Sequence, residues 1–486
     1  MKTRSLLPVA ALWLAVSATS AAAPAASKPV VADRSCHLPG VTDALRCMTL
    51  DVPLDHAKPA GAKLKLHVAV APAHRQGTRS DPLFVLAGGP GQAGSEVVQM
   101  LTLAFNRVRA TRDIVFIDQR GTGRSGKLDC KNKPEQEIMT EEQLDAELRA
   151  CIAATKASFG AYTTDAAARD TELVRRALGY GAVNVWGGSY GTRLGQAYAR
   201  LYPASVRSLV FDGVAAPDQV IPAAGRDAQA ALDKMFEQCA KDAGCNKAFP
   251  KLRAEFDALA AKLEAGSIKL SLSNPRTAQP VEVTMTAERF YGTIHNILYS
   301  PADARRLPFL IHNAAQGRWQ PFVARQNLLS DFGVDGSVAI LLQLAVVCAE
   351  DVPRLTPELR KSDDSQVTRL LTDRFPAMCK TMNVPPVAAQ AHQDRRACPA
   401  AVRRARPDHA AAPRQRRRQA HAARPARGGG QCRPWRVAAR LRAALAARVP
   451  RQAAGQARRG MHERDPGPDF PARQRRPATL KAPEHD

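Results

Sequence analysis

Short apolar runs alternating with helical patterns organise the first half of the chain. Four mostly apolar runs, each too short for a helix, stand at 83–86, 114–117, 182–186 and 206–211. Helical spacing of apolar residues occupies 164–178 and 192–201, on either side of the third run. Strand, helix, strand, helix and strand in this order predict a parallel sheet with crossover helices.

The flanking regions follow other patterns. Before the first run, 48–52 and 64–71 resemble strands bounded by Pro and Gly, and they predict an antiparallel start to the sheet. After the fourth run, 217–385 is mostly helical, with one strand-like break at 268–285. An insertion of this kind after a parallel core is expected to form a lid over the site.

The third strand runs into Gly187-Gly188-Ser189-Tyr190-Gly191, and a helical pattern follows at once. Small residues on both sides of the serine allow a sharp turn in which strand and helix approach closely. Such a turn exposes the hydroxyl and places the next backbone N–H beside it, which predicts Ser189 as a nucleophile. A plain turn is the alternative, because Gly and Ser are common in turns.

Two other loops follow predicted strands. Ala87-Gly88-Gly89-Pro90-Gly91-Gln92 is either a tight loop or an oxyanion hole, in which backbone N–H groups stabilise a developing negative charge. The segment 118–126 contains a G-x-G-x-x-G pattern, but no clear helix follows it, which argues against dinucleotide binding. It is expected to form a hydrogen-bonded loop at the rim of the pocket.

The charge of the chain is unevenly distributed. The formal net charge is +25, and residues 395–486 alone carry 23 Arg, one Lys and six acids, a charge of +18. The basicity therefore belongs to the tail, and we predict no nucleic-acid partner for the body. A basic start, a short apolar stretch and small residues over 1–22 predict a secretory signal peptide, hence a secreted or periplasmic protein without a spanning helix.

Eight of the ten cysteines lie before residue 380. An even number in an exported chain suggests disulfides, although eight cysteines allow 105 connectivities. The short spacings favour local pairs, namely Cys36–Cys47, Cys130–Cys151, Cys239–Cys245 and Cys348–Cys379. No C-x-x-C pair occurs, so a zinc ribbon is not expected and no metal is predicted.

Together the motifs resemble those of the secreted proline-iminopeptidase and tripeptidyl-aminopeptidase branch of the α/β-hydrolases. The resemblance covers about 35–390 and rests on Gly88–Gly91, on 118–125, on 187–192 and on Leu209-Val210-Phe211-Asp212-Gly213-Val214. It implies a doubly wound sheet (28–216), a helical cap (217–385) and a Ser–Asp–His triad without a cofactor. It implies the N–H groups of Gly89 and Tyr190 as the oxyanion hole, and peptide substrates with a free N-terminus. Glu350 and Asp351, at the end of an apolar helix, are carried over as the residues that hold the substrate ammonium; a solvated helix end is the alternative.

The tail departs from that family. The family's acid and histidine lie after the cap in Gly-x-x-Asp-Pro and Gly-His-Gly loops, and neither loop occurs in 390–486. We hypothesise that 393–486 is translated out of phase, so that the last strands of the sheet are missing. Codons for Ala405–His409, read one nucleotide later, permit Leu-Asp-Pro-Ile-Thr, and those for Gly428–Arg436 permit Val-Val-Ala-Asn-Ala-Gly-His-Gly. Asp408 and His409 themselves lie in an Arg-rich run without a strand and are not assigned to the triad.

Three functions remain open from the sequence. The first is a serine aminopeptidase acting through an acyl-enzyme, which is expected to be inactive as written. The second is an esterase or amidase on the same fold. The third is a non-catalytic protein whose Arg-rich tail binds anionic polymers, with a marked salt dependence. The oligomeric state is not predicted.

Overall fold

The computed structural model describes the body of the chain. It describes residues 33–75, 79–131, 139–274, 278–330, 338–367 and 369–387, and side chains except those of 326–330 and 369–372. The predicted signal segment 1–22 and the predicted out-of-phase tail 393–486 lie outside these ranges. All described residues belong to one compact unit within 1–419.

The main sheet has seven strands in the described part, in the order β1-β2-β3-β5-β4-β6-β7. They are β1 (Arg34–Cys36), β2 (Leu45–Pro53), β3 (Lys63–Ala71), β4 (Leu83–Leu86), β5 (Ile114–Ile117), β6 (Val183–Gly188) and β7 (Val206–Asp212). The first three strands pair antiparallel, and β3 also pairs antiparallel with β5. The strands β5, β4, β6 and β7 are parallel, which confirms the predicted parallel core and its antiparallel start.

The two central strands are buried along their whole length, which explains their uninterrupted apolar sequences. Phe84 and Val115 face one hydrophobic cluster, whereas Val85 and Phe116 face another on the opposite side of the sheet. Because β4, β5 and β6 are parallel, their carboxyl ends lie at the same edge of the sheet. This edge carries the loop 87–92, the loop 118–126 and Ser189.

Helices cover both faces of this sheet. Those of the first half are α1 (Met100–Leu103), α2 (Asn106–Arg109), α3 (Glu141–Ala154), α4 (Thr164–Ala177) and α5 (Tyr190–Leu201). Those that follow the lid are α13 (Ile340–Glu350), α14 (Pro357–Ser362) and α15 (Arg369–Met382). The helical patterns at 164–178 and 192–201 predict α4 and α5 to within two residues at each end. Strand β1 and helix α3 were not anticipated from the sequence.

The helical segment that the sequence predicts as a lid has a hydrophobic core of its own. Its elements are α6 (Gly225–Lys241), α7 (Ala243–Ala248), α8 (Leu252–Ala265), β8 (Ile268–Ser273), β9 (Pro280–Met285), α9 (Ala287–Leu298), α10 (Pro301–Ala304), α11 (Leu307–Ala315) and α12 (Gln320–Ser330). Phe256, Phe290 and Phe322 are fully buried at its centre, where the rings of Phe290 and Phe322 stack. The strand-like break at 268–285 is an antiparallel hairpin of β8 and β9.

Helix α13 lies within the predicted lid segment but packs on the main core. Leu342 and Val346 belong to the cluster that covers one face of the sheet. Other α13 side chains, including Leu341 and Leu344, pack with α15 and Ile152 of α3. The segment 217–385 therefore contributes to two separate cores, and α13 connects the lid to the sheet.

Four disulfides join the eight cysteines of the described part. They are Cys36–Cys47, Cys130–Cys151, Cys239–Cys245 and Cys348–Cys379, which confirms each of the four predicted local pairs. Among the helices of the described ranges, none is both long and apolar enough to cross a bilayer.

Candidate active site

Ser189 occupies the turn between β6 and α5 in an unusual conformation. Its backbone has φ 52° and ψ −123°, a region that serine rarely adopts and that costs about 1–3 kcal/mol. Its N–H donates to the carbonyl oxygen of Asp212 at 2.8 Å, which ties the turn to the end of β7. The side chain of Ser189 is exposed and does not cap the helix that it precedes. The hydroxyl is therefore held away from the local backbone and is accessible from outside.

Gly191 permits this turn because the helix starts against the end of β4. A Cβ atom at position 191 would collide with the carbonyl oxygens of Leu86 and Ala87. At position 187 a Cβ would collide with the carbonyl oxygen of Gly191. Strand and helix thus approach more closely than any side chain allows, as the sequence predicted for a sharp strand–turn–helix.

The Gly88–Gly89 loop lies beside the serine. A Cβ at Gly88 would stand 3.1 Å from the Cβ of Ser189, and Gly89 has φ +103°, which favours glycine. The loop is closed by the N–H of Gln92, which donates to the carbonyl of Gly88 at 3.2 Å. Gln119, in the loop that follows β5, fixes the Gly88–Gly89 loop by donating to the carbonyl of Ala87 at 3.1 Å.

Tyr190 is the first residue of α5, and the first N–H groups of a helix have no acceptor inside it. The N–H of Tyr190 therefore emerges next to the Ser189 hydroxyl and the glycine loop. The structure places Gly88 beside Ser189, and Gly89 and Tyr190 are the next residues along the chain from each of them. The oxyanion role of Gly89 and Tyr190 stays a prediction.

The loop 118–126 is a scaffold rather than a ligand cradle. Arg120 is buried and forms two 2.7 Å hydrogen bonds with Asp170 of α4, and it also donates to the carbonyls of Leu54 and Ala161. Asp118 accepts hydrogen bonds from the backbones of Ser95 and Arg124. Burial alone would raise the pKa of Asp118, but hydrogen bonds from His67, Arg124 and Ser95 lower it. These contacts fix the rim beside the glycine loop.

Glu350 and Asp351 are buried and bind groups of the protein itself. Both oxygens of Asp351, which is 0% exposed, accept from Arg193 of α5 at 3.0 Å. Glu350 accepts from the backbone N–H of Thr164 at 2.6 Å and from its hydroxyl at 2.7 Å. Burial raises the pKa of the Glu350 carboxyl, against the effect of the Thr164 hydrogen bonds. The geometry favours a structural role, and the substrate-ammonium role stays a prediction.

Thr164 and Arg193 are the functional candidates that the sequence did not single out. Each is a polar residue in a helical pattern. Nothing in that pattern shows that a carboxylate far away in the sequence binds it. The only available signal was the pair of adjacent acids at a helix C-terminus, a position that the helix dipole disfavours. Two acids at such a position are expected to have partners. In the structure these partners are Thr164 and Arg193 of the same chain.

No histidine of the described ranges forms a hydrogen bond with Ser189. His56 contacts Asp170 and Arg120, His67 lies 3.3 Å from Asp118, and His312 contacts Glu255. His295 stacks edge-on against Tyr299. Within the same ranges, no group of three or more His, Cys, Asp or Glu is placed to hold a metal ion.

Comparison with known proteins agrees with this arrangement. Residues 81–304 match the family model of the alpha/beta hydrolase fold. The chain is 31% identical over 257 residues to tripeptidyl aminopeptidase of Streptomyces lividans, covering 47% of each chain. It is 32% identical over 224 residues to serine protease Hip1 of Mycobacterium bovis, covering 41% of this chain and 42% of that protein. The chain thus spans about half the length of the curated relatives it matches.

One solved structure, proline iminopeptidase of Mycobacterium smegmatis, is 18% identical and covers 69% of this chain and 97% of that chain. Its TM-score of 0.28 is too low to support any inference. The assignment rests instead on the parallel sheet, the strained serine turn and the family match over 81–304. On these grounds, the described body of the chain has the α/β-hydrolase fold.

Proposed function

We propose that this body is that of a serine hydrolase which releases residues from peptide N-termini through an acyl-enzyme on Ser189. The observation that carries the proposal is the strained conformation of Ser189, whose exposed hydroxyl lies beside the Gly88–Gly89 loop. Backbone strain of this kind persists at functional sites because the surrounding structure maintains it. The aminopeptidase and serine-protease names of its relatives favour peptides over other acyl compounds.

The proposed chemistry uses amino-acid groups alone, and its acid and histidine are those of the chain with its reading frame restored. A histidine takes the proton of Ser189 as its oxygen attacks the carbonyl carbon of the scissile bond, and an acid orients that histidine. The N–H groups of Gly89 and Tyr190 stabilise the tetrahedral oxyanion. The histidine then protonates the leaving amine, and water releases the acyl group by the reverse sequence.

We propose further that the chain as written is inactive, because residues 393–486 are read out of phase and lack the triad acid and histidine. The sheet supports this. Strand β7 ends the sheet in the described part, with only β6 as its partner. Its run Leu209-Val210-Phe211 is apolar, and Val210 is 45% exposed. A parallel strand of this composition is normally covered on both edges.

Export to the cell envelope or the medium also belongs to this proposal. Four disulfides suit an oxidising compartment. The signal sequence predicted over 1–22 lies outside the described residues. Nucleic acid and membrane are not proposed as partners, because the basic charge is concentrated in the tail.

The test needs two polypeptides. The phase-restored chain keeps residues 1–392 and continues in the frame one nucleotide later, as resequencing of the locus would define it. Its hydrolysis of fluorogenic tripeptidyl and aminoacyl amides should require a free amine and should disappear in Ser189→Ala. Equal cleavage of N-acetylated and free peptides would refute the exopeptidase assignment, and faster cleavage of simple esters would favour an esterase.

Two further measurements address the remaining assignments. If Glu350 or Asp351 holds the substrate ammonium, Asp351→Asn should raise KM for free peptides but leave N-acetylated peptides unaffected. If the chain is instead a binder of anionic polymers, its affinity should fall steeply with salt and be unchanged by Ser189→Ala.

A further inference from the structure

The helix that carries the oxyanion donor is held at its start by contacts from another part of the chain. Ser189 is the N-cap of α5 but makes no side-chain capping bond. The first turn of α5 is instead attached through Tyr190 and Arg193, which lie three residues apart on one face of the helix. Both attachments end at the C-terminus of α13, at Glu350 and Asp351.

The first attachment is a directed chain of hydrogen bonds. The Tyr190 hydroxyl lies 2.8 Å from the hydroxyl oxygen of Thr164, which lies 2.7 Å from Oε2 of Glu350. The Thr164 hydroxyl donates to Glu350, which uses its single hydrogen, so the Tyr190 hydroxyl donates to Thr164. Tyr190 is 2% exposed and Thr164 is buried, so water does not substitute for any member of the chain.

The second attachment is a buried ion pair. Arg193 binds both oxygens of Asp351 at 3.0 Å and donates to the carbonyl of Gln219 at 2.6 Å. Asp351 also accepts from Arg354 and from the N–H of Ile221. The carboxylate is therefore satisfied on several sides, which buried charges require.

We propose that Thr164 and Glu350 are positioning residues for hydrolysis, acting through the Tyr190 side chain on the backbone N–H that follows Ser189. The inference rests on the proposed function of Ser189. Its physical reason is that an oxyanion donor must lie within a few tenths of an ångström of its acceptor, and small displacements sharply lower the rate. Helix α13, reached only after the lid, thereby sets the geometry of the turn.

Helix α5 provides a matched control. Tyr198 is also fully buried, and its hydroxyl donates to Glu172 of α4 at 3.0 Å. Tyr190→Phe and Tyr198→Phe each remove one buried hydroxyl that links α5 to α4, but only the first lies beside Ser189. A general loss of helix packing would affect both variants alike.

The first measurement is amide hydrogen exchange on the full chain, which needs no activity. The N–H of Thr192 donates to the carbonyl of Ser189 at 2.9 Å and reports the first turn. Its exchange should be about 10-fold faster in Tyr190→Phe and unchanged in Tyr198→Phe, since local openings differ along one element. Equal exchange in the two variants would overturn the inference.

The second measurement is turnover by the phase-restored chain. Tyr190→Phe should lower kcat about 10-fold or more with KM unchanged, because a displaced donor acts on the transition state. Thr164→Val should do the same, and the double variant should lose no more than the larger single loss. Unchanged kcat, or fully additive losses, would contradict the positioning role. If the parent chain lacks activity, the proposed function fails instead, and the exchange data still decide the inference.

Discussion

Strands β6 and β7 are neighbours in the same sheet, yet they stand in opposite situations. Strand β6 is buried between β4 and β7. It ends in a turn so tightly packed that a Cβ atom at Gly187 or Gly191 would collide with backbone atoms. Within the described residues, strand β7 has a partner on one side only, and Val210 and Val214 are exposed. The half of the site that we propose to hold the nucleophile therefore lies within the described residues, whereas the acid and base are proposed to follow beyond β7.

The comparison shows that the two halves of a triad enzyme depend on different parts of the sequence. The turn at Ser189 depends on residues within ten positions of it, on the ends of β4 and β7, and on contacts of α5 with α4 and α13, all of which precede residue 393. The base depends on a segment that must first add strands beyond β7. On the proposal made above, a change of reading frame after 392 would leave the first half intact and remove the second.

Removal of the nucleophile is expected to have the largest effect. In the phase-restored chain, Ser189→Ala should lower kcat by a factor on the order of 10⁶, as in other triad enzymes. The melting temperature should be nearly unchanged, because alanine also carries a Cβ atom and keeps the strain at φ 52°. Ser205→Ala, outside the site, is the control; retained turnover in Ser189→Ala would place the nucleophile elsewhere.

The second-largest effect is expected from replacing Gly191, which allows helix α5 to start against the end of β4. Gly191→Ala should destabilise the fold by about 3 kcal/mol or more, because the new Cβ collides with backbone oxygens that cannot move independently. Gly181→Ala is the matched control, since nothing lies within 4 Å of its Cβ position. Denaturant unfolding of both variants measures the difference, and similar midpoints would show that the turn is looser than described.

Substitution of Val210 on β7 is expected to be favourable in one of the two polypeptides and unfavourable in the other. In the chain as written, Val210→Lys should reduce self-association, because a charge protects an exposed strand edge. In the phase-restored chain the same change should cost about 1.5–3 kcal/mol, since Val210 would then be buried. Light scattering measures self-association, and denaturant unfolding measures stability. If the substitution is favourable in both chains, or unfavourable in both, no strand covers β7.

The smallest expected effect is a pH dependence at the far end of α5. Burial alone would raise the pKa of Glu172, but hydrogen bonds from Arg175, Arg176 and Tyr198 outweigh it and hold the pKa at about 2. The folded state therefore favours the ionised form, and its contribution to stability is lost as the pH falls from about 4.5 towards 2. The free energy of unfolding should decline over this window and decline less in Glu172→Gln.

The Glu172→Gln substitution should leave amide hydrogen exchange at Thr192 unaffected at neutral pH. This result would distinguish the contacts at the far end of α5 from those at its start. A shift in Thr192 exchange on Glu172→Gln would show instead that α5 responds as one unit from end to end.

Much of this fold was predictable because its signals are local. The apolar runs at 83–86 and 114–117 coincide with β4 and β5, and the short cysteine spacings gave all four disulfides. Ser189 was found because its turn needs small residues at fixed offsets. Contacts between distant segments were not predictable: the partners of Glu350 and Asp351 lie 186 and 158 positions away, on α4 and α5. No local pattern records such separations.

Parallel assays of the chain as written and the phase-restored chain, on one free tripeptidyl amide, test the central claim most directly. We expect turnover by the restored chain and a rate lower by a factor on the order of 10⁵–10⁶ in the chain as written, because only the restored chain has a base for Ser189. Equal turnover by both chains, with the nucleotide sequence confirmed, would contradict the claim and show that the base lies within the chain as written.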